Sequence, residues 1–182
     1  AKASGYRDGD NPADAITRAL PKQRAKVRHL PALPYPDVPV FLAALRDAAA
    51  APSVKLAFEF LVLTAARTSE VLGAQWDEMD QRAETWTVPG ERIKSGREHR
   101  VPLAPAALAV LKGAAALADG GPFVFLGRRP GTPLSNMALL MVLRRLERGD
   151  ITAHGFRSSF RDWAAERTNI PRAVCEAALP ER

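Results

Sequence analysis

Apolar positions repeat along most of the chain with a helical spacing and, in one central stretch, with a strand spacing. Asp37 is placed to cap a helix running to about Ala51, and Ser53 to cap the next. The second, "VKLAFEFLVLTAA", is apolar on almost every side, which predicts a central, buried helix. After Arg67, "TSEVLGAQW" predicts a short helix opened by Thr68 or Ser69, with Glu70 in its first turn. "WDEMD", "TWTVP" and "HRVPL" are short runs bounded by turn formers and predict three strands of a small antiparallel sheet. Ser95-Gly96 suits a hairpin tip between the second and third, which sets Lys94 on a protruding turn. Helical spacing then resumes. Pro105 opens a segment to about Leu117, Ser135 caps "NMALLMVLRRLERG", Thr152 caps the stretch from Ala153 to Arg167, and Pro171 starts a last helix.

Residues 1 to 36 lack sustained periodicity and are rich in proline and charge, which predicts an exposed linker or the tail of another domain. The body is then 37 to 182, an α+β domain, mostly α, with one small three-stranded antiparallel sheet. There is no internal repeat.

Composition adds little to this picture and excludes several alternatives. The 182 residues suffice for one domain with a proper core; 47% are hydrophobic and 25% charged, as in ordinary globular proteins. A formal charge of +6 makes attraction to a polyanion plausible. The one cysteine, Cys175, excludes a disulfide framework and, without a Cys/His cluster, a zinc site; a small buried apolar role is expected for it. The longest mainly apolar stretch, Val54 to Ala66, is interrupted by Lys55 and Glu59 and is too short for a bilayer. Nothing at the start resembles a signal peptide, so a cytoplasmic location without membrane contact is expected.

Two places carry candidate chemistry. In "AHGFRSSFRDWAAER", at about 100° per residue, Phe156, Phe160 and Trp163 share one stripe, while His154, Arg157 and Arg161 fall within about 60° on the opposite side. The aromatics should anchor the helix, and the cations converge without Asp162 or Glu166 among them. The second place is Arg67, which directly follows the buried apolar helix and precedes a new helix start. Its backbone is fixed by core packing, and a helix N-terminus offers N–H groups to an anion. Glu70 is positioned to orient its guanidinium from behind.

"LTAARTSEVLGAQWDEMD", "GERIKSGREHRVPL" and "TAHGFRSSF" occur in the order and approximate spacing of the tyrosine recombinase catalytic domain. The chain resembles most closely the phage- and island-encoded integrases of that family, over roughly residues 10 to 179. The leading "NPADAITRALPKQRAKVRHLPALPYPDVPVFLAALR" resembles the linker that joins their core-binding and catalytic domains. The resemblance implies site-specific recombination of a mobile element: a tyrosine hydroxyl attacks a DNA phosphate, a 3′-phosphotyrosyl link forms, and the expelled 5′-hydroxyl later attacks a partner strand. It implies no metal and no cofactor, so protein cations must stabilise the phosphorane. By resemblance, Arg67 and Arg157 are those cations, Lys94 protonates the leaving oxygen, His154 contacts the phosphate and assists proton removal, and Glu70 supports Arg67. Arg97, Arg100 and Arg161 are candidates for DNA backbone contact. The implied partners are double-stranded DNA and further copies of the chain, in a bacterial, nucleoid-associated setting.

One departure stands out. The family nucleophile follows the His-x-x-Arg helix, beyond a motif usually ending Leu-Ala-His, whereas the only tyrosines here are Tyr6 and Tyr35, both before Arg67. "CEAALPER" begins like that further motif but carries Pro180 and Glu181 where Ala and His are expected. Three explanations stand: a piece of a longer integrase, which is favoured, a decayed gene, or a tyrosine supplied by another subunit. In each, these 182 residues alone are expected to bind DNA without cleaving it. Exposed apolar surface is expected around Ala173, Ala177 and Leu179. Rival readings are a helix-turn-helix regulator built on "SEVLGAQW", which leaves Lys94 and His154 without a purpose, and an RNA or nucleotide enzyme, which lacks a Gly-rich phosphate loop. Type IB topoisomerases share the chemistry and fold, but the linker and hairpin resemble integrases more.

Overall fold

Helices follow the apolar periodicity through most of the computed structural model, which describes residues 31–93 and 96–179. Lys94, the hairpin tip at Ser95, Tyr6 and most of the expected linker lie outside the described residues. Helix α1 (Val38–Asp47) stops earlier than Ala51, and α2 (Pro52–Thr64) opens on Pro52. The break follows from that proline: the residue before it is disfavoured in the helical region, and Ala51 is extended at φ −59°, ψ 139°. Ser53 is therefore no cap; its hydroxyl donates to the Leu126 carbonyl at 3.1 Å. Ala65 ends α2 in the left-handed region at φ 50°, a conformation that costs a side-chain-bearing residue about 1 kcal/mol or more.

Helix α3 (Thr68–Leu72) uses neither Thr68 nor Ser69 as a cap; the chain turns at Arg67, and Glu70 reaches back to it. After Leu72 come Gly73, a single turn at Trp76–Glu78 and then strand β1 (Met79–Asp80). A second DNA-reading helix does not follow, so the helix-turn-helix alternative fails at this point. Strands β2 (Thr85–Val88) and β3 (His99–Pro102) complete an antiparallel sheet in the order β1-β2-β3, as its spacing predicts. Trp86 pairs with Met79 and Val101, and Val88 with His99.

Helix α4 (Pro105–Ala115) starts at its proline. Helix α5 (Ala138–Arg145) begins two residues later than a Ser135 cap implies, with Met137 at the N-cap position. Thr152 does cap: its hydroxyl accepts the Gly155 N–H at 3.0 Å, and the turn Ala153–Gly155 leads into α6 (Phe156–Arg167). Helix α7 (Arg172–Ala177) follows Pro171.

The core surrounds α2, whose Ala57, Phe58, Phe60 and Leu61 are all fully buried. Phe58 packs on Phe41 and Phe156, with ring centroids 5.2 and 5.5 Å apart, and so fixes α1 and the start of α6. Phe60 packs on Trp86 and Phe125 at 5.3 and 5.4 Å and fixes the sheet. One helix thereby sets the positions of α6 and β2 relative to its own C-terminus.

Packing begins before position 37. Leu33 is buried, its carbonyl accepts the Ser159 hydroxyl, and the Pro31 carbonyl accepts the Thr152 N–H at 3.2 Å. A side chain at Gly155 would bring a Cβ 2.3 Å from the Pro31 carbonyl oxygen, so this close crossing requires the glycine of "AHGFR".

Three further expectations need correction. Of the aromatic stripe on α6 only Phe156 is a buried anchor; Phe160 is half-buried, and Trp163 is 42% exposed in a groove with Tyr35, Val38 and Val62. Leu179 is buried, so the exposed apolar residues near Ala173 and Ala177 are Ile170 and Val174. Cys175 is half-buried rather than buried. Among the described residues no helix is long and apolar enough to cross a membrane.

Candidate functional site

The C-terminal end of α2 is where three distant parts of the chain meet. Arg67 leaves α2 two residues after Ala65 in an extended conformation, φ −75°, ψ 148°, and is the N-cap of α3. Its backbone N–H donates to Glu70 Oε2 at 2.8 Å, and its Nη1 to Glu70 Oε1 at 3.2 Å. Glu70 is 1% exposed, so a buried carboxylate holds both the backbone and the guanidinium of one arginine. Arg157 arrives from the first turn of α6 and donates from Nη1 to the Ala65 carbonyl at 2.8 Å, meeting the acceptor left over at a helix end. Two guanidiniums from positions 90 residues apart in sequence thus flank one helix terminus.

Electrostatics agree with this convergence. Burial, then repulsion from Arg67, lowers the Arg157 pKa below the usual arginine value; Glu70 opposes this and Arg161 adds to it. A guanidinium still stays protonated. Arginine's planar paired donors suit phosphate oxygens.

His154 lies on the single turn preceding α6, exposed, three residues before Arg157. Arg161 is exposed one turn beyond Arg157. Arg97 is exposed on the limb leading into β3 and Arg100 is exposed within that strand, where it pairs with Glu98 at 2.9 Å. The residues brought together are therefore Arg67, Glu70, Arg157 and, within reach of their charge, Arg161. Among the described residues no group of three or more His, Cys, Asp or Glu side chains could hold a metal ion.

Two residues escaped the sequence reading. Arg92, in the turn Gly90–Arg92, donates from Nη2 to the Glu70 carbonyl at 2.6 Å and from Nη1 to Glu78, whose other oxygen accepts the Trp86 indole N–H at 2.9 Å. It straps the root of the hairpin to α3. A buried tryptophan needs an acceptor for its N–H, and that was the available pointer to Glu78. His99 is the second. Strand alternation puts it on the same face as Val101, opposite buried Val88, so it points inward while Arg100 points out. Burial chiefly lowers its pKa; Arg157 and Arg67 act in the same direction, against Glu70 and a hydrogen bond to the backbone of Ala178.

Two expected results follow from these contacts. Replacing Glu70 by alanine removes the anion that holds Arg67 and should cost about 3 kcal/mol in denaturant unfolding, with Glu70→Gln costing distinctly less because its amide oxygen still accepts the Arg67 N–H. Acid should act through His99. The unfolded chain takes up the proton near the ordinary histidine value of about 6.5, whereas the folded chain resists it until lower pH. Stability is therefore expected to fall as pH drops below about 6.5, and the fall should be shallower in His99→Gln when unfolding is followed across that range.

Comparison with known proteins gives a consistent picture. The family model described as the phage integrase family matches residues 33–177. Prophage integrase IntA of Escherichia coli (strain K12) is 32% identical over 170 residues, covering 92% of this chain and 40% of that protein. The integrase of Enterobacteria phage P4 is 30% identical over 167 residues, covering 83% and 38%. The chain thus spans about 40% of the length of these relatives. Among solved structures, a lambda integrase dimer bound to a COC′ core site superposes with a TM-score of 0.68 at 17% identity, covering 93% of this chain and 67% of that one. A Tn1549 transposon integrase in complex with circular intermediate DNA gives 0.73 at 12% identity, with the same two coverages of 93% and 67%. At such identities the likeness concerns the fold.

Proposed function

The chain belongs to the phage integrase family, and on that premise we propose that residues 37 to 182 form the catalytic part of a site-specific DNA recombinase. The observation that carries this reading is the meeting of Arg67 and Arg157 at the end of α2, with Glu70 fixed behind Arg67. The pair receives one DNA phosphodiester. A tyrosine hydroxyl attacks the phosphorus and forms the 3′-phosphotyrosyl bond; the 5′-oxygen leaves and takes a proton; the reverse attack by a 5′-hydroxyl rejoins the strands. The two guanidiniums neutralise the extra negative charge of the five-coordinate phosphorus, which is larger in the transition state than in the bound diester.

In this reading Lys94 gives the proton to the leaving 5′-oxygen, and His154 contacts the phosphate and assists removal of the tyrosine proton. Arg97, Arg100 and Arg161 hold the DNA backbone on either side. Neither of the chain's two tyrosines, Tyr6 and Tyr35, follows Arg157. Strand cleavage then needs a tyrosine from outside these residues, and the chain by itself binds DNA without forming an adduct. Residues 1 to 36 connect this body to a core-binding domain, further copies assemble on the DNA, and the protein works at the bacterial nucleoid.

Binding measured by fluorescence anisotropy over a salt series tests the reading. Arg67→Ala and Arg157→Ala should each reduce the slope of log K against log[salt] by about 1, as expected when one phosphate contact is lost. Slopes unchanged in both variants would contradict the assignment.

A further inference from the structure

We propose that Arg92 is a positioning residue of the phosphate site: by bridging the Glu70 carbonyl and the Glu78 carboxylate it fixes the last turn of α3 on the sheet, and through Glu70 it holds the Arg67 guanidinium ready for a DNA phosphate. This rests on the DNA-phosphate reading of Arg67 and Arg157. Three observations carry it. The N–H groups that follow α3 go elsewhere, that of Gly73 to the Ser69 carbonyl at 3.3 Å and that of Ala74 to the Val71 carbonyl at 3.1 Å, while the Glu70 carbonyl takes Arg92 Nη2 at 2.6 Å. An acceptor left at the end of a short helix is thus met by a guanidinium from another element, as Arg157 meets Ala65 at the end of α2. The far end of the bridge is anchored in the core. Arg92 Nη1 donates to Glu78 Oε1, and Glu78 Oε2 accepts the Trp86 indole N–H at 2.9 Å and the Gln75 backbone N–H at 3.3 Å. Trp86 is itself fully buried against Phe60 of α2. The side chains of Arg92 and Glu78 are only 20% and 6% exposed, so directed bonds rather than a mobile surface pairing set their geometry. The third observation is Gly73. A Cβ there would lie 3.0 Å from Arg92 Nη2, so the guanidinium closes over the chain where a side chain is missing.

These contacts place Arg92 behind the site. Both Glu70 oxygens are committed to Arg67, Oε2 to its backbone N–H at 2.8 Å and Oε1 to its Nη1 at 3.2 Å. The direction of that carboxylate follows the Glu70 backbone, and a helix as short as α3 (Thr68–Leu72) does not fix its own backbone. Arg92 does so from the sheet. A shift of about 0.5 Å at Glu70 is enough to turn the Arg67 donors away from the phosphate oxygens. Arg92 acts through Glu70 and Arg67 and needs no contact with DNA.

Binding of the whole chain to a short DNA duplex, followed by fluorescence anisotropy, is compared for Arg67→Ala, Arg92→Ala and the double variant. Arg92→Ala is expected to weaken binding about three- to tenfold alone, but by less than about twofold in the Arg67→Ala background, because what it positions is already gone. Arg92→Lys keeps the charge and lacks the planar fork, so it should bind nearly as weakly as Arg92→Ala. Gly73→Ala leaves every charge in place and crowds Nη2; it should weaken binding about twofold and carries the test if Arg92→Ala does not fold. In the free chain, amide exchange at Arg67, whose N–H is held by Glu70, should quicken severalfold in all three variants. A loss from Arg92→Ala that is equal in both backgrounds, full affinity in Arg92→Lys, or Gly73→Ala with neither binding nor exchange altered overturns the proposal alone. Arg67→Ala binding as tightly as the unaltered chain overturns it together with the reading it rests on.

Discussion

Replacing Arg157 by alanine, in a form of the protein that carries the family's tyrosine, is expected to slow DNA strand cleavage by about 10²- to 10³-fold, the usual effect of removing one preorganised donor to a developing oxyanion. Arg67→Ala should do the same. Both guanidiniums are held before the phosphate arrives, Arg67 by Glu70 and Arg157 by the Ala65 carbonyl, so little reorganisation accompanies the reaction. Arg157→Lys should recover only a small part of the loss, because an ammonium cannot hold Ala65 and present a planar pair of donors at once. Arg161→Ala should lower the rate by less than about tenfold, since its exposed side chain meets at most the DNA backbone. Single-turnover cleavage of a nicked duplex separates these cases. Equal losses at all three positions would mean that the cluster is a general basic surface.

Phe58→Ala is expected to destabilise the fold by about 3 to 5 kcal/mol, a large part of the stability of a domain this size. Phe58 is fully buried between Phe41 and Phe156, and those two rings are themselves 4.9 Å apart, so neither can relax into the space without losing the other. Val174→Ala, at an exposed site, should stay within about 0.5 kcal/mol. Urea unfolding gives both values; a Phe58→Ala cost near that of Val174→Ala would show that the three-ring cluster does not fix α6 on α2. Because Arg157 follows Phe156 directly, the same substitution should also weaken DNA binding more than its effect on folded fraction explains.

Much of this was readable in the residues. The all-round apolar character of "VKLAFEFLVLTAA" identifies a helix that must be central, and the alternation and turn formers from Trp76 to Leu103 identify the sheet. Helix boundaries were less legible. Ser53 and Ser135 look like caps, yet Pro52 outcompetes the first by fixing the backbone one residue earlier, and α5 starts at Ala138. The site was legible where local geometry decides it, as with Arg67 and Glu70 three residues apart. It was not legible where long-range packing decides it. His99 reads as one polar residue at the start of a strand until β2 and α7 close around it, and Arg92 reads as a surface cation until its partners Glu78 and the Glu70 carbonyl are known. Trp163 failed in the opposite sense: helical phase puts it with Phe156, but its ring lies 42% exposed in the open groove beside Tyr35, Val38 and Val62.

A crystal structure of the chain with a DNA duplex bears most directly on the central claim. One backbone phosphate should lie between the guanidiniums of Arg67 and Arg157, with oxygens within about 3 Å of both, while Glu70 keeps its hold on Arg67. A duplex bound on another face, with that basin empty of phosphate, would contradict it.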